Sequence, residues 1–405
     1  MYKVLKAKTL IDGKGGQPIP EAAILIEDGV IRTAGPAQAM SWPDSAEVID
    51  LGEKTVMPGM IDCHVHIGSN GEARYELLSV KELTPYKALK AALHARTDLE
   101  AGFTTLRDMG EGGYIDIAVR QAINAGLYTG PRLVVSGHSL SITGGHGDSH
   151  FIPEVRVTSK IGVVDGPDAA RKAAREQLKY GADVLKLCAT GGVMSEGTEP
   201  GAQQLSYDEM KAAIDEFKKL GKTSAAHAQG TKGIKDAIRA GITSIEHGFF
   251  LDAEAIQMML DNNVYLVPTL VAVHGIVTNG VEAGIPEYAV NKARMAQAAH
   301  LDSFRRALAA GVKIAMGTDA GTPFNYHGKN AFELELLVKA GMTPQQAIQA
   351  TTKTAAELLQ IEKMTGTLEA GKSADIIAVD GDPLTDIKLL QSVKFVMKEG
   401  KIIRS

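Results

Sequence analysis

Cysteine is almost missing from this chain: two residues, Cys63 and Cys188, among 405. Both lie inside apolar, strand-like runs, which argues against a disulfide framework and for buried thiols in a reducing compartment. No stretch approaches the roughly 20 consecutive apolar residues of a membrane span. No block of one charge sign occurs either. The net charge is −5 and the signs are interspersed, so neither a nucleic-acid partner nor a basic membrane surface is expected. The opening Met1-Tyr2-Lys3-Val4-Leu5-Lys6 has no apolar core of a signal peptide. A cytoplasmic location is the expectation, although removal of an export signal would leave the same start.

What is present is a chain that is 44% hydrophobic and carries 43 glycines. Its length suits one large α/β barrel with a modest appendage and allows a sizeable core. Both ends have β texture. Ala23–Ile26 and Val30–Thr33 flank Asp28-Gly29, a hairpin signal; Val393–Met397 and Lys401–Ile403 flank Glu399-Gly400, and Asp375–Val379 is a further β-rich run. Isolated hairpins are marginal in water, so residues 1–56 and 368–405 are expected to share one small sheet.

Residues 57–367 alternate short apolar runs with amphipathic stretches, as successive βα units do. Eight runs can be counted: Gly59–His66, Thr104–Arg107, Arg132–Ser136, Asp183–Leu187, Thr223–His227, Thr243–His247, Val264–Pro268 and Lys313–Thr318. Helical stretches such as Ala88–Glu100, Asp168–Tyr180, Tyr207–Leu220 and Asn291–Ala310 lie between them. Gly102, Gly181, Gly221, Gly241 and Gly311 follow helices at the expected left-handed cap. The predicted fold is an α/β (β/α)8 TIM barrel plus the terminal sheet. A doubly wound open sheet is disfavoured because no Gly-x-Gly-x-x-Gly opens a first helix.

Active sites of such barrels sit at the C-terminal ends of the strands, and polar residues collect there. Run one ends in Asp62-Cys63-His64-Val65-His66. Alternation along a strand places His64 and His66 on one face. Run four holds Lys186, run five ends at His227, run six at His247, and run eight leads into Thr318-Asp319. Imidazoles with a carboxylate suit a divalent ion, zinc first. Lys186 is costly to bury as an ammonium, and burial favours its neutral form. A neutral amine can react with carbon dioxide to give an anionic carbamate able to bridge two ions; the alternative is a lysine paired with a carboxylate.

These residues carry a resemblance. Pro58–His66, Lys186, His227, His247, Gly317-Thr318-Asp319 and the tail Gly366–Asp375 together resemble the amidohydrolase superfamily from end to end. Ser136-Gly137-His138, Gly144–Asp148 and Lys186–Ser195 are similar to its prolidase-like branch of binuclear metallocarboxypeptidases, which also contains ochratoxinase-like enzymes. The resemblance implies that His64, His66 and Asp319 bind a more buried ion, that His227 and His247 bind a more exposed one, and that carbamylated Lys186 bridges them. It implies that His138 contacts the substrate carbonyl or carboxylate and that Gln229 stands where relatives often have His or Tyr assisting with substrate. His146 either shapes the same loop or is structural.

The expected activity is hydrolysis of an amide or peptide bond in dipeptides or N-acyl amino acids, Xaa-Pro dipeptidase or carboxypeptidase-like, with ochratoxin-type amides in the same class. A metal-bridging hydroxide attacks the carbonyl while Asp319 moves the proton. Two divalent ions, zinc foremost, and carbon dioxide are the expected cofactors, a small-molecule amide the expected partner, and a homo-oligomer the expected state. A cyclic amidohydrolase or ring deaminase of the imidazolonepropionase type, commonly with one metal, is the second reading, and a non-catalytic binding protein the third. Substrate choice is expected to lie in the loops: about His138 to Pro167, long enough to be functional; Ala189–Leu205, whose Glu196 and Glu199 are solvated carboxylates or attract a cationic side chain; and Tyr265–Tyr288, which could close over the site.

Overall fold

The two ends of the chain meet in one sheet. The computed structural model describes residues 1–148 and 162–405. Strands β1 (Tyr2–Leu10), β2 (Ile19–Glu27), β3 (Val30–Pro36), β4 (Glu47–Asp50) and β5 (Lys54–Pro58) come from the N-terminal part. Seven strands follow: β6 (Met60–Val65), β7 (Phe103–Asp108), β8 (Arg132–Val135), β9 (Val184–Cys188), β10 (Thr223–Ala228), β11 (Ser244–His247) and β12 (Tyr265–Val267). The tail adds β13 (Ile376–Asp380), β14 (Phe395–Lys398) and β15 (Lys401–Arg404). The terminal sheet runs β15-β14-β13-β5-β1-β2-β3, with β4 beside β1, and β13 joins the C-terminal strands to β5 in antiparallel register, Ile377 opposite Met57. Leu5, Leu10, Ile24, Ile26, Phe395 and Met397 form its buried core.

Both expected hairpins form, and their turns touch. Asp28 and Gly29 have φ of 50° and 83°, Glu399 and Gly400 of 50° and 72°, the left-handed pair that matches strand twist in a two-residue hairpin. A Cβ on Gly29 would lie 2.6 Å from the carbonyl oxygen of Glu399, so glycine is needed there for space as well as for φ.

The seven other strands lie in two parallel arcs, β6-β7-β8 and β9-β10-β11-β12. One gap between the arcs is closed by Asp183 N–H donating to Val135 O at 2.7 Å and by Leu140, whose N–H donates to Lys186 O at 2.9 Å. The eighth expected run, residues 313–318, closes the other without a regular ladder. Ala315 N–H donates to Leu266 O and Cys63 N–H to Met316 O, while Met316 N–H turns away to Ala350 O. That diverted donor is why the run is extended but irregular. Gly317 is wedged between strands: a Cβ there would come 2.4 Å from Val267 Cγ1 and 2.9 Å from His64 Cβ. The predicted helices appear as Thr84–Glu100, Pro167–Tyr180, Tyr207–Lys218 and Glu287–Ala310, and Gly181, Gly241 and Gly311 take the left-handed C-cap. Arg132 ties barrel to sheet by donating to the buried Asp375 carboxylate at 2.9 Å.

Replacing Gly29 by Val should destabilise the protein by about 1–3 kcal/mol, the scale of one forced backbone conformation, without altering the active site. Chemical denaturation checks this, with unchanged metal content as the control.

Candidate active site

The strand ends bring the polar residues together as the alternation of side chains requires. His64 and His66 come from the end of β6, Lys186 from β9, His227 from β10, His247 from β11, and Asp319 from the turn after residues 313–318. All line one cavity of about 270 Å³. Three of the strand ends turn in the left-handed region: His247, Thr269 and Asp319 have φ of 69°, 51° and 62°. Such conformations are costly for non-glycine residues and gather at functional sites.

Asp319 Oδ1 stands 3.4 Å from His64 Nε2 and 3.3 Å from His66 Nε2. One donor atom from each of these residues lies within 4.8 Å of the others, a spacing that can hold a metal ion. Lys186 Nζ is 3.3 Å from His64 Nε2. The rings of His64 and His247 are 5.2 Å apart, those of His227 and His247 4.6 Å.

Each imidazole has one nitrogen already engaged. His64 Nδ1 meets Glu246 Oε2 at 2.7 Å, His66 Nδ1 meets Gly110 O at 3.0 Å, His247 Nδ1 meets Thr269 Oγ1 at 2.7 Å, and His227 Nε2 meets Gly191 O at 3.1 Å. A carbonyl or carboxylate only accepts, so the engaged nitrogen of His64, His66 and His227 carries a proton, and burial keeps the other nitrogen of His64 and His227 with its lone pair. Nε2 of His64 and Nδ1 of His227 are thereby free to act as ligand atoms, Nε2 of His247 likewise when its Nδ1 donates to Thr269, and Nε2 of His66 once its proton is displaced from beside Asp319. Second partners of this kind orient ligands in metal sites.

Burial and the neighbouring Lys186 hold His64 well below the usual imidazole range, and burial pushes His247 down to about 3. Burial, the largest influence, also lowers Lys186. For Asp319, burial alone would raise the pKa, but His64 and His66 beside it leave the carboxyl well below its ordinary value. Burial likewise holds His227 well below the usual range, whereas at His66 the Asp319 carboxylate outweighs burial and raises the pKa. Three imidazoles kept neutral, a fourth paired with an anionic carboxylate and a lysine pressed toward neutrality make a donor set that fits divalent ions with nitrogen and oxygen preference.

Gln229 is buried, borders the cavity, and its Oε1 has no hydrogen-bond partner. His146 borders the cavity, stacks on His227 with 4.0 Å between ring centres, and meets Ser195 Oγ at 2.9 Å. His138 is not in the wall: its Nε2 accepts from Gly113 N–H at 3.2 Å, its ring meets Tyr114 edge-on, and the neighbouring Ser139 lines the cavity instead. Of the long loop expected from His138 to Pro167, residues 149–161 lie outside the described residues; the described part supplies Ser139, His146 and Gly147. Glu196 and Glu199 are exposed and do not line the cavity.

Sequence reasoning passed over the layer beneath the ligands. Arg107 and Glu246 are fully buried; Arg107 Nη2 donates to Glu246 Oε1 at 2.9 Å, and the same guanidinium reaches Ser244 Oγ and Cys63 O. Asp62 accepts from Thr318 Oγ1 at 2.6 Å, Asn330 Nδ2 at 2.8 Å and the His64 N–H at 3.0 Å, and burial lifts its pKa to about 6. The signal was there: Arg107 is a cation inside an apolar run, as Lys186 is, and Glu246 directly precedes His247.

A barrel whose strand ends aim imidazoles, a carboxylate and a lysine into one cavity is an enzyme's architecture. Residues 55–403 match the amidohydrolase family model. Ochratoxinase from Aspergillus niger is 33% identical over 429 aligned residues, spanning 99% of this chain and 86% of that protein. The crystal structure of a Xaa-Pro dipeptidase with bound methionine in the active site superposes with a TM-score of 0.93 at 37% identity, 100% of both chains covered. A prolidase complexed with n-methylphosphonate-l-proline gives 0.91 at 30% identity, again covering 100% of both chains. The chain belongs to the amidohydrolase family.

Glu246→Gln should weaken metal binding about 10–100-fold, the usual effect of removing a ligand's orienting partner. A chelator competition titration reads it, and an unchanged affinity would mean that Glu246 does not orient His64.

Proposed function

We propose that this chain hydrolyses the amide bond of small substrates with a carboxylate beside the scissile bond, dipeptides (Xaa-Pro among them) and N-acyl amino acids, with ochratoxin-type amides in the same class. The observation that carries this reading is the buried Lys186 inside a ring of four histidines and Asp319 at one cavity. The names of the similar proteins, a Xaa-Pro dipeptidase, a prolidase and an ochratoxinase, support the same class of bond.

In this reading His64, His66 and Asp319 hold one divalent ion and His227 and His247 a second, zinc by ligand chemistry. Lys186, pressed toward its neutral form, would add carbon dioxide through its amine and lose a proton to solvent, and the resulting anionic carbamate would help hold both ions. Bound ions of this type supply an ionised water near neutral pH and polarise a carbonyl. Asp319, anionic and beside the site of attack, accepts the proton of the attacking water and returns it to the departing nitrogen, general base then general acid. Gln229 offers the substrate an acceptor and an N–H donor from one carboxamide. His138 receives no substrate contact in this reading, because its ring is engaged outside the cavity wall.

One observation favours a second reading. Among the described His, Cys, Asp and Glu residues, His64, His66 and Asp319 are the group whose donor atoms already lie within metal-holding distance, which suits a one-metal cyclic amidohydrolase or ring deaminase. Elemental analysis of protein dialysed free of excess metal separates the two: about two ions per chain on the dipeptidase reading, one ion with full activity on the other.

The substrate class is tested by comparing a dipeptide with its C-terminal amide at the same metal loading. The free acid should be turned over with a kcat/KM at least about tenfold higher, since donors that read the carboxylate lose their partner in the amide. Equal rates on both would show that the carboxylate is not read and would move the assignment to neutral or cyclic amides.

A further inference from the structure

The apolar side of the cavity is built on a buried cation. Lys292, on the helix Glu287–Ala310, is 7% exposed. Its ammonium donates to Ser195 O at 2.9 Å and to Thr198 O, with Gly192 O at 3.5 Å. Tyr288, one turn earlier, donates to Met194 O at 3.0 Å, and its ring centre is 5.5 Å from the same ammonium. These acceptors are main-chain carbonyls of one short segment, residues 192–198, which winds around the ammonium much as a loop winds around a monovalent metal ion. A buried ammonium is tolerated only when its donors find acceptors, so the charge and the loop conformation each require the other.

That segment is also part of the site. Val193 and Met194 line the cavity and belong to one apolar cluster with Phe249, Val273 and Ile276. Ser195 Oγ holds His146, and Gly192 lies so close to that ring that a Cβ would come 2.4 Å from its Nδ1. His146 in turn stacks on His227. Glu196 of the segment and Glu199 just after it are exposed and do not line the cavity, so among the described residues this apolar wall offers no carboxylate to a cationic side chain.

We propose that Lys292 is a positioning residue for substrate choice: its ammonium is the post around which residues 192–198 are wound, placing Val193 and Met194 to complete an apolar pocket for a bulky side chain of the substrate. This rests on the amide-hydrolase reading above and deepens it from bond type to side-chain class.

The test compares wild-type, Lys292→Met, Lys292→Arg and Lys292→Ala on N-acetyl-alanine, N-acetyl-leucine and N-acetyl-phenylalanine, with metal content measured for each. Lys292→Met should raise KM for the leucine and phenylalanine substrates about tenfold, the scale of lost pocket contacts, with kcat within about threefold and alanine little affected. Lys292→Arg should stay near wild-type, and n-propylammonium, which replaces the missing atoms, should partly restore KM in Lys292→Ala where sodium chloride does not. An equal loss on all three substrates, a fall in kcat with KM unchanged, or loss of metal would overturn the proposal. Hydrogen exchange needs no substrate. Lys292→Met should speed exchange in residues 191–199 selectively, and unchanged exchange there would refute the proposal even if the wild-type protein cleaved none of these amides. Failure to cleave them, and the corresponding dipeptides as well, would instead refute the amide reading.

Discussion

The buried pair Arg107–Glu246 crosses the interior of the barrel from β7 to β11, joining the two arcs that the hydrogen-bonded ladders leave separate. An ion pair taken wholly out of water is weak support for stability as such, because desolvation of both partners offsets their attraction. Its value here lies in placement. Glu246 also accepts from His64 and Ser244, and Arg107 donates to Cys63 O, so β6, β7 and β11 are held in register at the level where the ligands begin. Removing either charge would leave the other buried, and removing Glu246 would also release the His64 ring. The polar floor of the site is therefore a consequence of one interaction placed below it.

Above that floor the cavity has two unlike sides. One is polar and strained: His247, Thr269 and Asp319 bend into left-handed conformations, and Thr269 both begins the helix Leu270–Asn279 and meets His247 Nδ1. The other is apolar, built from that helix through Ala272, Val273 and Ile276 together with Val193, Met194 and Phe249. Glu333 connects the two by accepting the N–H groups of Leu270 and Val271 at 2.8 and 2.7 Å, which fixes the start of the helix that carries apolar wall residues. A cavity with nitrogen and oxygen donors on one side and hydrocarbon on the other has the division that orients a small ligand.

That these residues meet at one cavity was legible in the sequence because strand geometry leaves few choices. Period-two alternation puts His64 and His66 on one face, and a polar residue ending an apolar run in a barrel has one mouth to point toward. The terminal sheet was legible from turn chemistry, Asp28-Gly29 and Glu399-Gly400 requiring the conformations they adopt. Three-body relations were not. That the Arg107 guanidinium finds Glu246 depends on the register between strands distant in the chain, and that His138 turns to Gly113 while Ser139 faces the cavity depends on a half-turn within one loop. The irregular eighth strand was equally hidden, because its ladder is broken by a donor diverted to Ala350. Periodicity reports which face a residue is on; it carries no information on which partner waits there.

Two buried lysines in this molecule show how far local acceptors decide a residue's chemistry. Lys186 and Lys292 are 3% and 7% exposed, and burial lowers the pKa of both. Lys292 is surrounded by main-chain carbonyls, which stabilise the charged form and can do nothing else with it. Lys186 has beside it His64 Nε2, a lone-pair nitrogen that belongs to the ligand set. An ammonium there would compete with a metal ion for the same nitrogen and repel that ion as well. A neutral amine would be nucleophilic and poorly satisfied, and an anionic group at the same position would complement both the ion and the neutral imidazoles. The proposed carbamate of Lys186 follows from that ordering of electrostatic states, and Lys292, equally buried but well supplied with acceptors, has no such reason to change its charge.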